Sequence, residues 1–169
     1  FYIALLDENK NTVEYVYLID RGARYPKESI PFSNQTITAH VITTGEPLIF
    51  ADEADWQSHR INRSMYGSAE NSRSVIVAPM KLAGKVIGAI SAQSYQPNTY
   101  TGEQTQVFMT LANQVATAIG NSRLVQSLRL QAAALDAAAN AIVISDADGI
   151  IQWVNPAFTS ITEIGRAHV

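Results

Sequence analysis

Two apolar runs, Ser74–Met80 and Val86–Ser94, are each the length of a strand, with Leu82-Ala83-Gly84-Lys85 between them. A connection that short, built from turn formers, predicts a tight hairpin and hence two adjacent antiparallel strands. The period then changes. Thr101-Gly102-Glu103-Gln104 fits a capping box, with Thr101 as N-cap and the Gln104 side chain reaching back to it. Phe108, Leu111, Ala112, Val115 and Ile119 follow at i, i+3, i+4, i+7 spacing, one face of a long helix that is expected to pack on the sheet. Antiparallel strands followed by a helix that covers them place the chain in the α+β class.

The residues before the hairpin fit the same class. Tyr2–Leu6 and Val13–Ile19 are rich in β-formers and flank the polar insert Asp7-Glu8-Asn9-Lys10-Asn11, a second hairpin signal. Residues 22–31 carry Gly, two prolines and mixed charge and are expected to form a loop. Ile37, Val41 and Ile42 recur at helical spacing, with a stop at Thr44-Gly45. A short apolar run, Leu48-Ile49-Phe50, comes next. Residues 52–65 are polar around Trp56 and Ile61, which suits a surface helix or an ordered loop.

Composition mainly excludes. With 169 residues, 47% of them apolar and 16% charged, the chain holds one globular domain, or one and part of another. There is no cysteine, so disulfides, thiolate metal sites, cysteine nucleophiles and Cys-linked chromophores are all excluded. A net charge of -3, with Lys and Arg scattered, offers no electrostatic footprint for nucleic acid. No run approaches the ~18–20 apolar residues of a membrane span.

Beyond residue 121 the pattern changes again. Val125, Leu128, Ala132 and Leu135 are separated by 3, 4 and 3 residues. That spacing is a short coiled-coil seam or the apolar face of an ordinary linker helix. On the coiled-coil reading Leu124, Val125, Leu128 and Leu135 are the relay and homodimer contacts. Ala141–Ser145 and Ile150–Val154 flank the turn Asp146-Ala147-Asp148-Gly149, and Asn155-Pro156 then opens a helix with Asn155 as N-cap. This second unit is too short to bury a core by itself. The last six residues, Ile164-Gly165-Arg166-Ala167-His168-Val169, correspond to a reading of ATC-GGA-AGA-GCA-CAC-GTC, a string resembling a sequencing adapter. Residues 164–169 are therefore expected to be a non-native tail, the alternative being a native terminus.

Several segments together resemble a GAF domain. They are Phe1-Tyr2-Ile3-Ala4-Leu5-Leu6-Asp7, Thr44-Gly45-Glu46-Pro47-Leu48-Ile49, Ser74–Met80 running on into Gly84–Ile90, and Tyr100–Gln104 followed by Leu111–Ile119. Asn140–Asp146 through Asp148–Phe158 resembles the start of a PAS domain. The resemblance implies an antiparallel GAF-type sheet with flanking helices and a long exit helix, then an incomplete PAS-like hairpin and helix. On this reading residues 1–122 are a GAF unit whose first helix lies upstream, 123–139 a helical linker and 140–163 the start of a PAS unit. A tandem of this kind resembles the cytoplasmic sensory half of a bacterial signalling protein, whose output is a histidine kinase or a cyclic-dinucleotide enzyme.

The resemblance places a small molecule between the sheet and the elements over it, here Gln35–Thr44 and residues 52–74. Those elements hold His40, Trp56, Arg60, Tyr66 and Arg73, an aromatic platform with cations for a nucleotide-like ligand. The same pattern is met if Trp56 anchors the segment and the arginines are solvated. Phe50-Ala51-Asp52-Glu53 resembles part of a cyclic-nucleotide signature whose remaining elements are missing. No metal is expected, since His40 and His59 would need Asp52 or Asp55 to complete a site. Some GAF relatives reduce free methionine sulfoxide with cysteines, which this chain lacks. No catalytic constellation can be named, so the chain is expected not to be an enzyme. An enzymatic reading would need His40 or His59 beside a Ser or Asp in a pocket. The two functions left are a ligand-binding sensory relay and a ligand-free dimerisation scaffold.

Overall fold

The computed structural model describes residues 1–33, 35–59, 61 and 70–163. The chain divides into two compact units, 1–120 and 121–169.

The first unit is built on a seven-stranded antiparallel sheet. Strand β1 (Tyr2–Asp7) forms a hairpin with β2 (Thr12–Asp20). Two short strands, β3 (Ala23–Arg24) and β4 (Glu28–Pro31), both pair with the outer edge of β2. The expected loop over residues 22–31 is thus partly strand. Pro26 and the charges hide it in the sequence, because the pairing satisfies the backbone of an exposed edge and needs no apolar side chains.

Helix α1 (Ile37–Thr44) follows, capped by the Thr36 side chain and closed by Gly45 in the left-handed region, φ 69°. Strand β5 (Leu48–Phe50) leads to helix α2 (Glu53–Ser58), whose N-cap Asp52 accepts from the N–H groups of Ala54 and Asp55. Strands β6 (Ser74–Leu82) and β7 (Lys85–Ser94) form the expected hairpin, turning at Ala83-Gly84. The strand order is β3-β2-β1-β7-β6-β5.

Both faces of the central strands are covered, which explains why β6 reads as a continuous apolar run instead of an alternating one. Val75 and Val77 meet Ile37, Val41, Ile42, Phe50 and Trp56 on one face. Ala78 and Met80 meet helix α3 (Gly102–Asp136) on the other. Helix α3 begins as read: the Thr101 N–H donates to Gln104 Oε1 at 2.9 Å, and the Gln104 N–H to Thr101 Oγ1 at 3.4 Å. Its sheet face differs by one position from expectation. Ala112 and Ala116 are fully buried, with Phe108, Met109, Val115 and Ile119 beside them, while Leu111 is 42% exposed. Small side chains at the centre of the contact let the helix backbone approach the sheet, and Leu111 is rotated away.

The second unit holds the end of α3, a hairpin of β8 (Val143–Ser145) and β9 (Ile151–Val154), and helix α4 (Pro156–Thr162) with Asn155 as its N-cap. Among the described residues no helix is long and apolar enough to cross a membrane.

Candidate functional site

Strands β2 and β7 end on the same side of the sheet, and their last side chains open a shallow cleft with the segment that enters β6. Tyr2, Leu18 and Ile19 contribute its apolar part, and Asp20, Glu70, Ser72, Gln93 and Tyr95 its polar rim. The rim is internally organised. Tyr95 Oη donates to Asp20 Oδ1 at 2.7 Å, and Ser72 Oγ to Gln93 Oε1 at 2.7 Å. Arg21 pairs with Glu70 and lies with its guanidinium carbon 4.4 Å from the centroid of the Tyr95 ring. The hydrogen bond that Arg21 donates to the Glu70 carboxylate raises the Arg21 pKa above its ordinary value.

Arg21 also carries backbone strain. It sits at φ 48° in the two-residue turn joining Asp20 to Ala23, a conformation costing a non-glycine residue about 1–2 kcal/mol. Asn or Gly is the ordinary occupant of such a turn. An arginine there is held by what its side chain reaches, namely Glu70 and Tyr95.

Deeper on the same face, Tyr2 and Tyr15 both reach the hydroxyl of Thr38, at 2.7 and 3.0 Å. All three residues are buried, so these bonds join α1 to β1 and β2 inside an apolar core, where an unmade bond is expensive.

Of the expected ligand residues, three fall within the described part of the chain. His40 is half-buried on α1, where its carbonyl accepts from Thr44 Oγ1. Trp56 is buried and stacks on Phe50, ring centroids 3.9 Å apart at 10°, so one of its faces is already taken. Arg73 is exposed, and its backbone N–H donates to the Ser94 carbonyl. Arg60 and Tyr66 lie outside the described residues. None of His40, Trp56 and Arg73 lines the cleft. The residues that do were missed because the chemistry is spread over three strand ends and a turn; only the polar ends of otherwise apolar strands, Asp20 and Gln93, hinted at them.

His59 does meet a serine. Its Nδ1 is 2.9 Å from both Ser58 Oγ and the Asp55 carbonyl, and Ser58 Oγ itself donates to that carbonyl at 2.7 Å. Both side chains thereby serve the last turn of α2. Asp55 in turn accepts from the Ala51 N–H. Among the described residues no three His, Asp or Glu side chains gather as a metal ion would require.

The family model described as "GAF domain" matches residues 1–120. The chain belongs to the GAF family. A comparison with curated proteins found no match. Among solved structures, the GAF domain is similar to that of the Acinetobacter phosphoenolpyruvate-protein phosphotransferase, with TM-score 0.57 and 18% identity over 75% of this chain and 73% of that one. It is also similar to residues 122 to 287 of a methyl-accepting chemotaxis protein, with TM-score 0.58 and 17% identity over 73% and 79%. A third is the free methionine-R-sulfoxide reductase of Neisseria meningitidis, with TM-score 0.52 and 19% identity over 73% and 68%.

The reductase corrects one expectation. The chain was expected not to be an enzyme because no catalytic constellation could be named. Free methionine-R-sulfoxide reductases share this fold, so a GAF unit is compatible with catalysis. The missing cysteines bear on thiol chemistry alone.

Proposed function

We propose that the chain is the sensory and relay segment of a bacterial signalling protein, placed on the cytoplasmic side and followed by an output such as a histidine kinase or cyclic-dinucleotide enzyme. The observation that carries this reading is helix α3, which packs on the GAF sheet through Ala112 and Ala116 and runs on unbroken to Asp136. A continuous helix transmits a small rotation or shift over its length when two packings at its origin are close in energy. The GAF domain of a phosphotransferase and a segment of a chemotaxis protein, both similar in fold, support a sensory role.

In this reading residues 1–122 are the GAF unit, 123–139 the connector and 140–163 the opening of a PAS unit. The small ligand enters at the cleft of Asp20, Glu70, Ser72, Gln93 and Tyr95. Leu124, Val125, Leu128 and Leu135 are 60%, 46%, 55% and 39% exposed, and we assign them to a contact with a second copy of the chain.

The second reading, a ligand-free dimerisation scaffold, is supported by the Tyr2–Thr38–Tyr15 hydroxyl cluster and the Phe50–Trp56 stack. These side chains pack between the sheet and its covering helices. Thermal unfolding against a metabolite library separates the two readings. A ligand at ~100 times its dissociation constant adds ~2.7 kcal/mol, whereas a flat response across the library supports the scaffold.

A further inference from the structure

Asn155 is fully buried, although the helix it caps and the hairpin beside it are largely exposed. Its Oδ1 accepts from the N–H groups of Ile142 at 2.8 Å and Phe158 at 3.0 Å. Its Nδ2 donates to the carbonyls of Asn140 at 2.9 Å and of Leu135 and Ala138 at 3.3 Å each. Its backbone N–H donates to the Ile142 carbonyl at 3.1 Å. All the partners are main-chain atoms, so the bonds report on backbone position and not on side-chain identity.

These partners come from three elements. Leu135 is in the last turn of α3, where the final carbonyls run short of intrahelical donors, and Ala138 lies two residues past the helix end. Ile142 precedes β8, and Phe158 is in the first turn of α4. One amide therefore completes the end of one helix and the start of another, and holds the strand between them. Its orientation follows from the network, because exchanging its N and O would set donors against N–H groups and an acceptor against three carbonyls. Aspartate has the same shape but no N–H to donate, and serine is too short to span the two sides. The apolar side chains of Val143, Ile144, Ile150 and Ile151 in the hairpin and its turn are all exposed.

We propose that Asn155 is the positioning residue that couples the C-terminal end of α3 to the β8–β9 hairpin and α4, so that a change in the helix end is felt at the hairpin through this side chain. The proposal rests on the relay reading and supplies it with a residue. A strand and a helix start that share one amide with the helix end cannot keep their hydrogen bonds when that end shifts or frays.

Amide hydrogen exchange on the full chain, without ligand, tests it as a double-mutant cycle. Ala133→Gly weakens the exposed end of α3 and is expected to speed exchange about fivefold at the Ala137 N–H, which donates to the Ala133 carbonyl. In the otherwise native chain the N–H groups of Ile142 and Phe158 are expected to accelerate with it. In an Asn155→Asp background, Ala133→Gly is expected to leave Ile142 and Phe158 unchanged. An undiminished response there overturns the proposal. Asn155→Ser keeps an oxygen for the Phe158 N–H but not the reach to α3, and gives the same cycle should the aspartate strip the hairpin of protection. If both variants strip it, accelerated exchange at Ala137 supports the coupling, and unchanged exchange there overturns it. Because no ligand is used, failure of the sensory reading and failure of this coupling are told apart.

Discussion

Phe50 stacks on Trp56 with ring planes within 10° and centroids 3.9 Å apart, while the His59 ring meets Phe50 edge-on at 5.0 Å. The stack joins the end of β5 to α2 and makes the tryptophan an anchor of the covering layer. Trp56→Ala is expected to destabilise the GAF unit by about 3–5 kcal/mol, read as a lowered urea midpoint with unchanged slope. A change under about 1 kcal/mol would show that the ring is not part of the core.

Gly88 is required by a close approach. A Cβ there would run into the Ala4 carbonyl and lie 2.9 Å from Met80 Cε. Strand β1 pairs with β7 at this point, Leu5 opposite Gly88, and a backbone carbonyl cannot swing aside as a side chain can. Gly88→Ala is expected to cost at least the ~1–3 kcal/mol of an overpacked core, with the β1–β7 amides losing exchange protection first. A variant as stable as the parent contradicts the pairing register.

The cleft rim is tested at Tyr95 and Arg21. Tyr95→Phe removes the donor to Asp20 and is expected to cost about 1 kcal/mol in thermal unfolding. Arg21→Gly relieves the left-handed backbone but gives up the ion pair with Glu70 and the contact with Tyr95. An ion pair this exposed contributes little against solvent screening, so Arg21→Gly is expected to be neutral or stabilising. Measurable destabilisation would mean that Arg21 holds more of the rim together than its exposed pair accounts for.

The β8–β9 turn is expected to respond to acid through Asp146. Asp146 accepts from the Ile150 and Asp148 N–H groups and from Gln152 Nε2. These bonds, that from Ile150 foremost, hold its pKa below the ordinary aspartate value. A lowered folded pKa stabilises the turn above the unfolded value of about 3.9, and this contribution is lost as pH falls through the lowered one. The Ile150 and Asp148 amide resonances are expected to titrate together in that acid range, and Asp146→Asn, which keeps the acceptor, should abolish the titration.

Leu128 is the test of the seam. Leu128→Asp places a charge at the centre of the exposed apolar face of α3 and is expected to shift a dimer towards monomer in analytical ultracentrifugation. A parent chain that sediments as a monomer throughout removes the coiled-coil reading.

Much of this architecture was legible locally. The capping box at Thr101 and Gln104, the Gly45 stop, the Ala83-Gly84 turn and the Asn155 cap are each set by residues a few positions apart, and each formed as read. Leu111 was misplaced because an i, i+3, i+4 pattern fits more than one helix face when alanines are among the candidates; only contact with β6 and β7 decides which row goes inward. The strands β3 and β4 escaped notice because they exist through backbone pairing to β2.

The site divides along the same line. Residue types, alternation and turn chemistry in the sequence determined an α+β GAF unit with a long helix leaving it, because those signals act over a single turn or strand. Tertiary structure alone decided that Trp56 would be covered by Phe50, and that Asp20, Arg21, Glu70 and Tyr95 would share one rim. It also decided that Asn155 would reach back to Leu135. Each of these depends on which strand ends and helix ends are neighbours in space. That is settled by sheet order and packing over the whole chain, so a local pattern carries no record of it.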